Sequence, residues 1–297
     1  MYHIRFLPII CLLLLFLASC STGGRNGKLP KSTGMPYEVV LEGDTDSIVT
    51  KILTEDVTGL PQPEPLCRLI QVKKGKTRGN YLLVRTRIIV NIGVRDFSVT
   101  LHHDENAAPQ NIIRITAQSA QQLRERLNGE RLRQIVDEVE LKHLADIISG
   151  NPSKQNREMQ DEIKKMFGID IKIPAAMNAS KKAKDFIWIS NNASSGMQNL
   201  LVFRVKNEHQ IDSILRTNMP GETDSMYMVI PHLSERGLWE MKGDAMGGPY
   251  VMHRIHRQTS LAAKQGYNLY IIAFVYAPEM KKKILIKQLE AAISTIK

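Results

Sequence analysis

Leu17-Ala18-Ser19-Cys20 closes an apolar run near the start of the chain, and its cysteine has a defined chemistry. The pattern reads as a bacterial lipobox: the leader is expected to be cut before Cys20, whose thiol takes a diacylglyceryl group. Serine at that position would leave a soluble secreted protein. His3 and Arg5 make a weakly basic start, and residues 6–17 are apolar apart from Pro8. These twelve residues are fewer than the roughly 20 needed to cross a bilayer as a helix, so the segment reads as a signal. One acyl chain anchors a protein only marginally. Two or more palmitate-like chains, at about 0.8 kcal/mol per buried methylene, hold it stably.

A second constellation is Gly243-Asp244-Ala245-Met246-Gly247-Gly248-Pro249. Gly247 and Gly248 free the backbone for positive φ and for close approach to a ligand, while Asp244 can orient a donor or a cation. Trp239 and Tyr250 flank the loop with flat apolar surface suited to a sugar or a partner chain. The competing reading is a tight turn between strands with both aromatics in the core. Under the binding reading, replacing Trp239 or Asp244 disturbs capture more than folding.

The remaining reactive types form no catalytic or metal motif, and no cofactor is expected. His253 and His256 lie three apart in a predicted strand, so they point to opposite faces and cannot share a metal. His102-His103-Asp104 falls at a strand end and reads as surface. Nothing resembles Gly-x-Ser-x-Gly. Cys11 leaves with the leader and Cys20 is acylated, so Cys67 is alone, no internal disulfide forms, and it reads as a small core residue. Asp137, Glu138 and Glu140 are expected on the solvated side of a long helix. Asp46-Ser47-Ile48, Asp212-Ser213-Ile214 and Asp224-Ser225-Met226 resemble acceptors for periplasmic O-glycosylation at Ser47, Ser213 and Ser225. Two of them fall near predicted helix starts, where Asp-Ser is favoured as a cap in any case.

Strands are predicted over residues 37–41, 66–72, 81–92, 97–101 and 111–116, with a short helix over 47–53. Leu60-Pro61-Gln62-Pro63-Glu64-Pro65 forbids helix and predicts an extended, exposed connector, either rigid linkage or, less favoured, a partner-binding polyproline segment. Lys73-Lys74-Gly75-Lys76-Thr77-Arg78-Gly79 predicts a solvated hairpin loop, with docking to membrane phosphates as the alternative. Apolar residues recurring at three and four predict one helix over 118–149, kinked at Asn128-Gly129 and ended by Gly150-Asn151-Pro152. The second half predicts helices at 154–167, 208–218 and 279–296 and strands at 169–173, 186–190, 200–205, 226–230, 238–241, 250–255 and 269–276. The last helix is read as basic and amphipathic, with Leu285, Leu289, Ile293 and Ile296 as its buried stripe.

These elements predict an α+β fold of two mixed halves, with mainly antiparallel sheets packed by long helices. The expected division is a signal over 1–19, a flexible tether over 20–35 rich in Gly, Ser and Thr, and domains over 36–150 and 151–297. Hydrophobic residues make up 43% of the chain, enough for a substantial core, and the net charge is +10. A secreted chain does not meet nucleic acid, so anionic lipid, glycan or acidic protein are the partners that this charge suits. The tether has neither an aspartate after Cys20 nor an acidic run, which favours the periplasmic face of the outer membrane.

Leu53-Thr54-Glu55, Gly59 through Pro65, Asp185-Phe186-Ile187-Trp188-Ile189-Ser190, Arg236-Gly237-Leu238-Trp239, Gly243 through Tyr250 and Phe274-Val275-Tyr276-Ala277-Pro278 resemble domain-of-unknown-function family 4837. These segments span almost the whole chain after the leader. The resemblance implies a Gram-negative envelope lipoprotein and brings no activity or site. A lipid-anchored binding or assembly module in the periplasm is therefore the expected function, with membrane lipid through Cys20 and an envelope protein or glycan as partners. An envelope hydrolase or transferase, its residues assembled only in three dimensions, is the alternative.

Overall fold

A computed structural model describes residues 28–297 except positions 59, 61, 95, 208, 219–226, 231–237, 244–250, 259–265 and 278–279. The first sheet holds β1 (Glu38–Glu42), β2 (Arg68–Val72), β3 (Thr86–Ile92), β4 (Ser98–His103) and β5 (Asn111–Ala117), in the order β2-β1-β3-β5-β4. β1 runs parallel to β2 and β3, and β3 parallel to β5; β4 alone is antiparallel. The α+β class holds, but this sheet is mixed where mainly antiparallel pairing was expected. Parallel neighbours need long crossovers. Residues 43–67, carrying α1 (Ile48–Leu53), provide one, and residues 73–85 carry the chain back to the start of β3. Alternating hydrophobicity locates strands without giving their direction.

One face of this sheet presents Val39, Leu41, Ile88, Val90, Ile113 and Ile115, all buried with α1, α2 (Ala120–Arg126) and α3 (Gly129–Ser149). The single helix predicted over 118–149 is two. Ser119 caps α2 by accepting from Gln122 N, and Asn128 caps α3 by accepting from Arg131 N. A Cβ at Gly129 would lie 3.2 Å from Ile52, so the break also lets α3 approach α1 closely. The opposite face carries Glu42 and Arg87, buried and ion-paired, and residues 73–85 reach across it. Gly75 N and the Thr77 hydroxyl both donate to Glu42. The predicted strand over 81–92 is shorter for this reason: Gly79–Leu83 turns as a 3-10 helix before β3.

The second sheet is antiparallel throughout. It contains β6 (Ala179–Ala183), β7 (Phe186–Ser190), β8 (Met197–Val205), β9 (Tyr227–Ile230), β10 (Leu238–Gly243), β11 (Val251–Gln258) and β12 (Asn268–Tyr276), ordered β6-β7-β8-β12-β11-β10-β9. Ile187, Ile189, Leu200, Val202, Ile271 and Val275 pack against α4 (Arg157–Phe167) and α6 (Lys283–Ser294). The other face buries Phe186, Phe203, Tyr270 and Phe274 together with Ile211 and Leu215 of α5 (Gln210–Asn218). Residues 169–173 were expected as a strand and join no sheet. Ile169, Ile171 and Ile173 are buried, but Lys172 N donates to Thr295 Oγ1 and Lys297 N to Asp170 O beyond the end of α6.

α6 serves both halves. Ile286, Leu289 and Ile293 join the core of the second sheet, while Ala291 and Ala292 join the core of the first. Leu285 and Ile296, expected in the buried stripe, are only partly buried. α6 packs along α3, where the two small alanines permit close approach. The helix expected to be amphipathic is thus buried on two faces, with Lys283, Lys287 and Glu290 buried as well. Among the described residues no helix is long and apolar enough to cross a membrane.

Candidate functional site

Cys20, Asp244, Gly247, Gly248 and Tyr250 lie outside the described residues. Trp239 lies in β10, where its Cα is the partner of His253, itself the partner of Phe274. Trp239 therefore heads a row that crosses β11 and β12 to Asn199 of β8. Ser47 sits at the start of α1 but its side chain makes no capping bond, because Asp44 accepts from Ile48 N, Val49 N and Thr50 N instead. Ser213 is exposed on α5, and Ser225 lies outside the described residues.

The structure brings together a set of residues that sequence reading had dispersed. Glu140, expected in solvent, is fully buried and accepts from Tyr37 N at 3.0 Å, Arg85 Nη1 at 3.3 Å and the Thr86 hydroxyl. One turn away, Asp137 accepts from the Tyr37 hydroxyl at 2.6 Å and from Lys287 Nζ of α6 at 2.8 Å. Lys287 also donates to Glu290 at 3.0 Å. Only Glu138 of the acidic trio is exposed, paired with Arg131. A signal for Glu140 was present in the sequence. It stands at a spacing of four from Val136 and Leu144, within the stripe Leu132, Val136, Leu144 and Ile148 that α3 buries.

The proline segment completes this junction. Glu64 is buried, and its carboxylate accepts from Lys282 N at 2.6 Å and Lys283 N at 3.2 Å, capping the start of α6. Lys283 Nζ in turn donates to Pro65 O and Leu66 O, and the Tyr37 ring lies 5.7 Å from that ammonium and 6.0 Å from the Lys287 ammonium. The expected exposed connector is therefore a clamp on the C-terminal helix. Leu60 reaches the core of the second sheet.

Electrostatics here follow burial and partners. Burial, reinforced by the Asp137 carboxylate, pushes the Tyr37 phenol well above its ordinary value, so it stays a neutral donor. Burial pushes the Cys67 thiol up to about 12, which leaves it an unreactive core residue. Burial lowers the Lys283 ammonium, opposed by nearby Glu64. Arg133 is held by the carbonyls of Ile52, Glu55 and Asp56.

The charged groups of the junction are thus engaged with one another. A cavity of about 80 Å³ beside Arg133, Asp137 and Lys287 has room for a few waters and not for a substrate. A larger cleft of about 610 Å³ lies between α3 and the end of α6, with Leu141, Ala145 and Ile296 among its lining and Lys142, Asp146 and Lys172 also lining it. Lys142 and Asp146 pair with each other there. Among the described residues no group of three or more His, Cys, Asp or Glu is placed to hold a metal ion.

Fold and junction define a class: an α+β chain with two sheets, whose halves share one C-terminal helix and a buried ionic clasp. Residues 156–295 match a domain-of-unknown-function family, DUF4837. Residues 32–149 match a second domain of unknown function, DUF8532. The segments Leu53-Thr54-Glu55 and Gly59 through Pro65 that resembled the first family fall within the second, so the first covers less of the chain than that resemblance implied. No curated protein matches the chain.

Proposed function

We propose that this is a lipid-anchored cell-envelope protein that works as a binding or assembly module, facing the periplasm from the outer membrane. The observation that carries this reading is Leu17-Ala18-Ser19-Cys20 at the end of a twelve-residue apolar stretch. The junction supports a module over a catalyst, because Asp137, Glu64 and Lys287 are taken up in joining the two halves, and Glu140 in bonds to Tyr37, Arg85 and Thr86 within the first. The segment from Trp239 to Tyr250 is the one proposed to meet a partner protein or a glycan.

The test is metabolic labelling with an alkyne-tagged fatty acid in a Gram-negative host, with intact-mass measurement of the product. The wild-type chain should take up label and lose residues 1–19, whereas Cys20→Ser should take up no label. Label uptake by Cys20→Ser equal to wild type would remove the reading. For the module, in-cell crosslinking followed by pulldown should recover a partner that Trp239→Ala and Asp244→Ala lose while keeping their thermal stability. Full capture by both variants counts against that segment.

A further inference from the structure

β4 is an edge strand without the usual defences of an edge. It closes one side of the first sheet, and its six residues are exposed or, at Ser98, half-buried. Sheet edges are ordinarily guarded by charged side chains, by proline or by a covering element, since a bare edge recruits another strand. Ser98-Val99-Thr100-Leu101-His102-His103 contains no Lys, Arg, Asp, Glu or Pro. The other edges whose side chains are described are defended. β6 carries Lys181 and Lys182, and β2 carries Arg68 with its side chain 78% exposed.

The ladder shows which backbone groups are open. Asp104 N donates to Gln110 O, continuing the β4–β5 pairing, so the even-numbered residues of β4 bond inward to β5. The N–H and C=O groups of Val99, Leu101 and His103 therefore point to the open edge, and among the described residues no backbone partner meets them. Val99 and Leu101 pair with Ile115 and Ile113, which are buried in the core under the helices, yet they remain 36% and 40% exposed. The core stripe thus runs out to the rim of the sheet and stops there uncovered.

We infer that β4 pairs antiparallel with β4 of a second copy of this chain, about a two-fold axis through Thr100. That register sets Val99 against Leu101 of the partner copy, Thr100 against Thr100, and Ser98 against His102. Apolar meets apolar on the helix side and polar meets polar on the other. It also matches the open groups, because Val99 and Leu101 become the hydrogen-bonded pair. A two-fold through Leu101 would instead set Val99 against His103, and this is the reason for choosing Thr100. The two five-stranded sheets become one continuous sheet with no exposed edge at its centre.

Disulfide trapping tests the register. At the axis the two Thr100 Cα atoms form a non-hydrogen-bonded pair about 4.5 Å apart, within disulfide reach. The full chain with Cys11→Ser and Cys20→Ser keeps only buried Cys67, and Thr100→Cys is added to it. Mild oxidation should convert most of this protein to covalent dimer, while exposed Lys76→Cys in the same background stays monomeric. Adding Leu101→Pro, which deletes an outward N–H without touching the β4–β5 bonds, should reduce the dimer to the control level. Val99→Lys should do the same, and serves if the proline variant unfolds by circular dichroism. Trapping no greater than in the Lys76→Cys control, trapping that survives Leu101→Pro and Val99→Lys, or a crosslink to a different protein overturns the proposal.

Discussion

Glu64 and Lys282 lie 218 residues apart and are joined by a 2.6 Å hydrogen bond from the Lys282 N–H to the Glu64 carboxylate. The bond ties the proline-rich segment of the first half to the start of the last helix. A carboxylate at a helix start satisfies N–H groups that have no partner within the helix, and it meets the positive end of the helix dipole. Pro63 and Pro65 on either side hold the backbone extended and limit the entropy lost when Glu64 is fixed there.

Removing this cap should weaken the whole molecule. Glu64→Ala is expected to lower unfolding stability by about 1–2 kcal/mol, and Glu64→Gln by less, because the amide oxygen still accepts. Urea titration followed by circular dichroism reads both. An alanine variant as stable as wild type would show that the contact contributes nothing.

The buried pair Arg85–Glu140 makes a sharper demand, since both side chains are almost entirely out of water. Glu140→Ala leaves Arg85 charged and buried and removes the acceptor for Tyr37 N and the Thr86 hydroxyl. The expected loss is about 3–5 kcal/mol. Replacing both partners by apolar residues, Arg85→Met with Glu140→Leu, should recover part of it. A double variant worse than the sum of the two single changes contradicts this account.

Gly43 and Gly75 both have positive φ, of 82° and 70°, but different surroundings. A Cβ on Gly43 would stand 2.4 Å from Val90 O, whereas one on Gly75 meets nothing within 4 Å. Gly75→Ala should cost about 1–2 kcal/mol from backbone strain alone. Gly43→Ala should cost a further 1–3 kcal/mol or so, since the β3 backbone has to move. Thermal melts of the two variants side by side give the comparison, and equal melting temperatures would refute it.

His143 supplies a pH dependence. Burial first, then Arg85, hold its imidazole near a pKa of about 4, against an ordinary 6.5. Between those values the unfolded chain binds a proton that the native chain does not. The histidine's contribution is therefore complete above pH 6.5 and is lost as pH falls toward 4. Wild type should lose more stability across that window than His143→Gln, and ring-proton NMR should place the midpoint well below 6. Parallel pH profiles for the two proteins would count against it.

Elements with a local signature were legible in the sequence. Phe186–Ser190 forms a strand with the predicted bounds, and α4 ends where Gly168 takes φ of 74°. Ala179–Ala183 was missed because Ala-Ser-Lys-Lys-Ala carries no strand preference; it is a strand by virtue of its antiparallel pairing with β7. Residues 169–173 alternate as a strand does, and their isoleucines are buried, yet their hydrogen bonds go to the end of α6. Burial and ladder membership are separate properties, and periodicity reports only the first.

The sequence by itself determined the α+β class and the positions of most helices and strands. Each depends on residue identity or on a period of a few residues. The tertiary structure decided the direction of the strands in the first sheet, the sharing of α6 between two cores, the burial of Glu64, Glu140 and Lys287, and the pairing of Asp137 with Lys287. A carboxylate enters a protein interior only where donors are waiting. Here those donors come from Tyr37, Arg85 and Thr86, 54 to 103 residues from Glu140, and from backbone 218 residues beyond Glu64. No local pattern encodes that meeting.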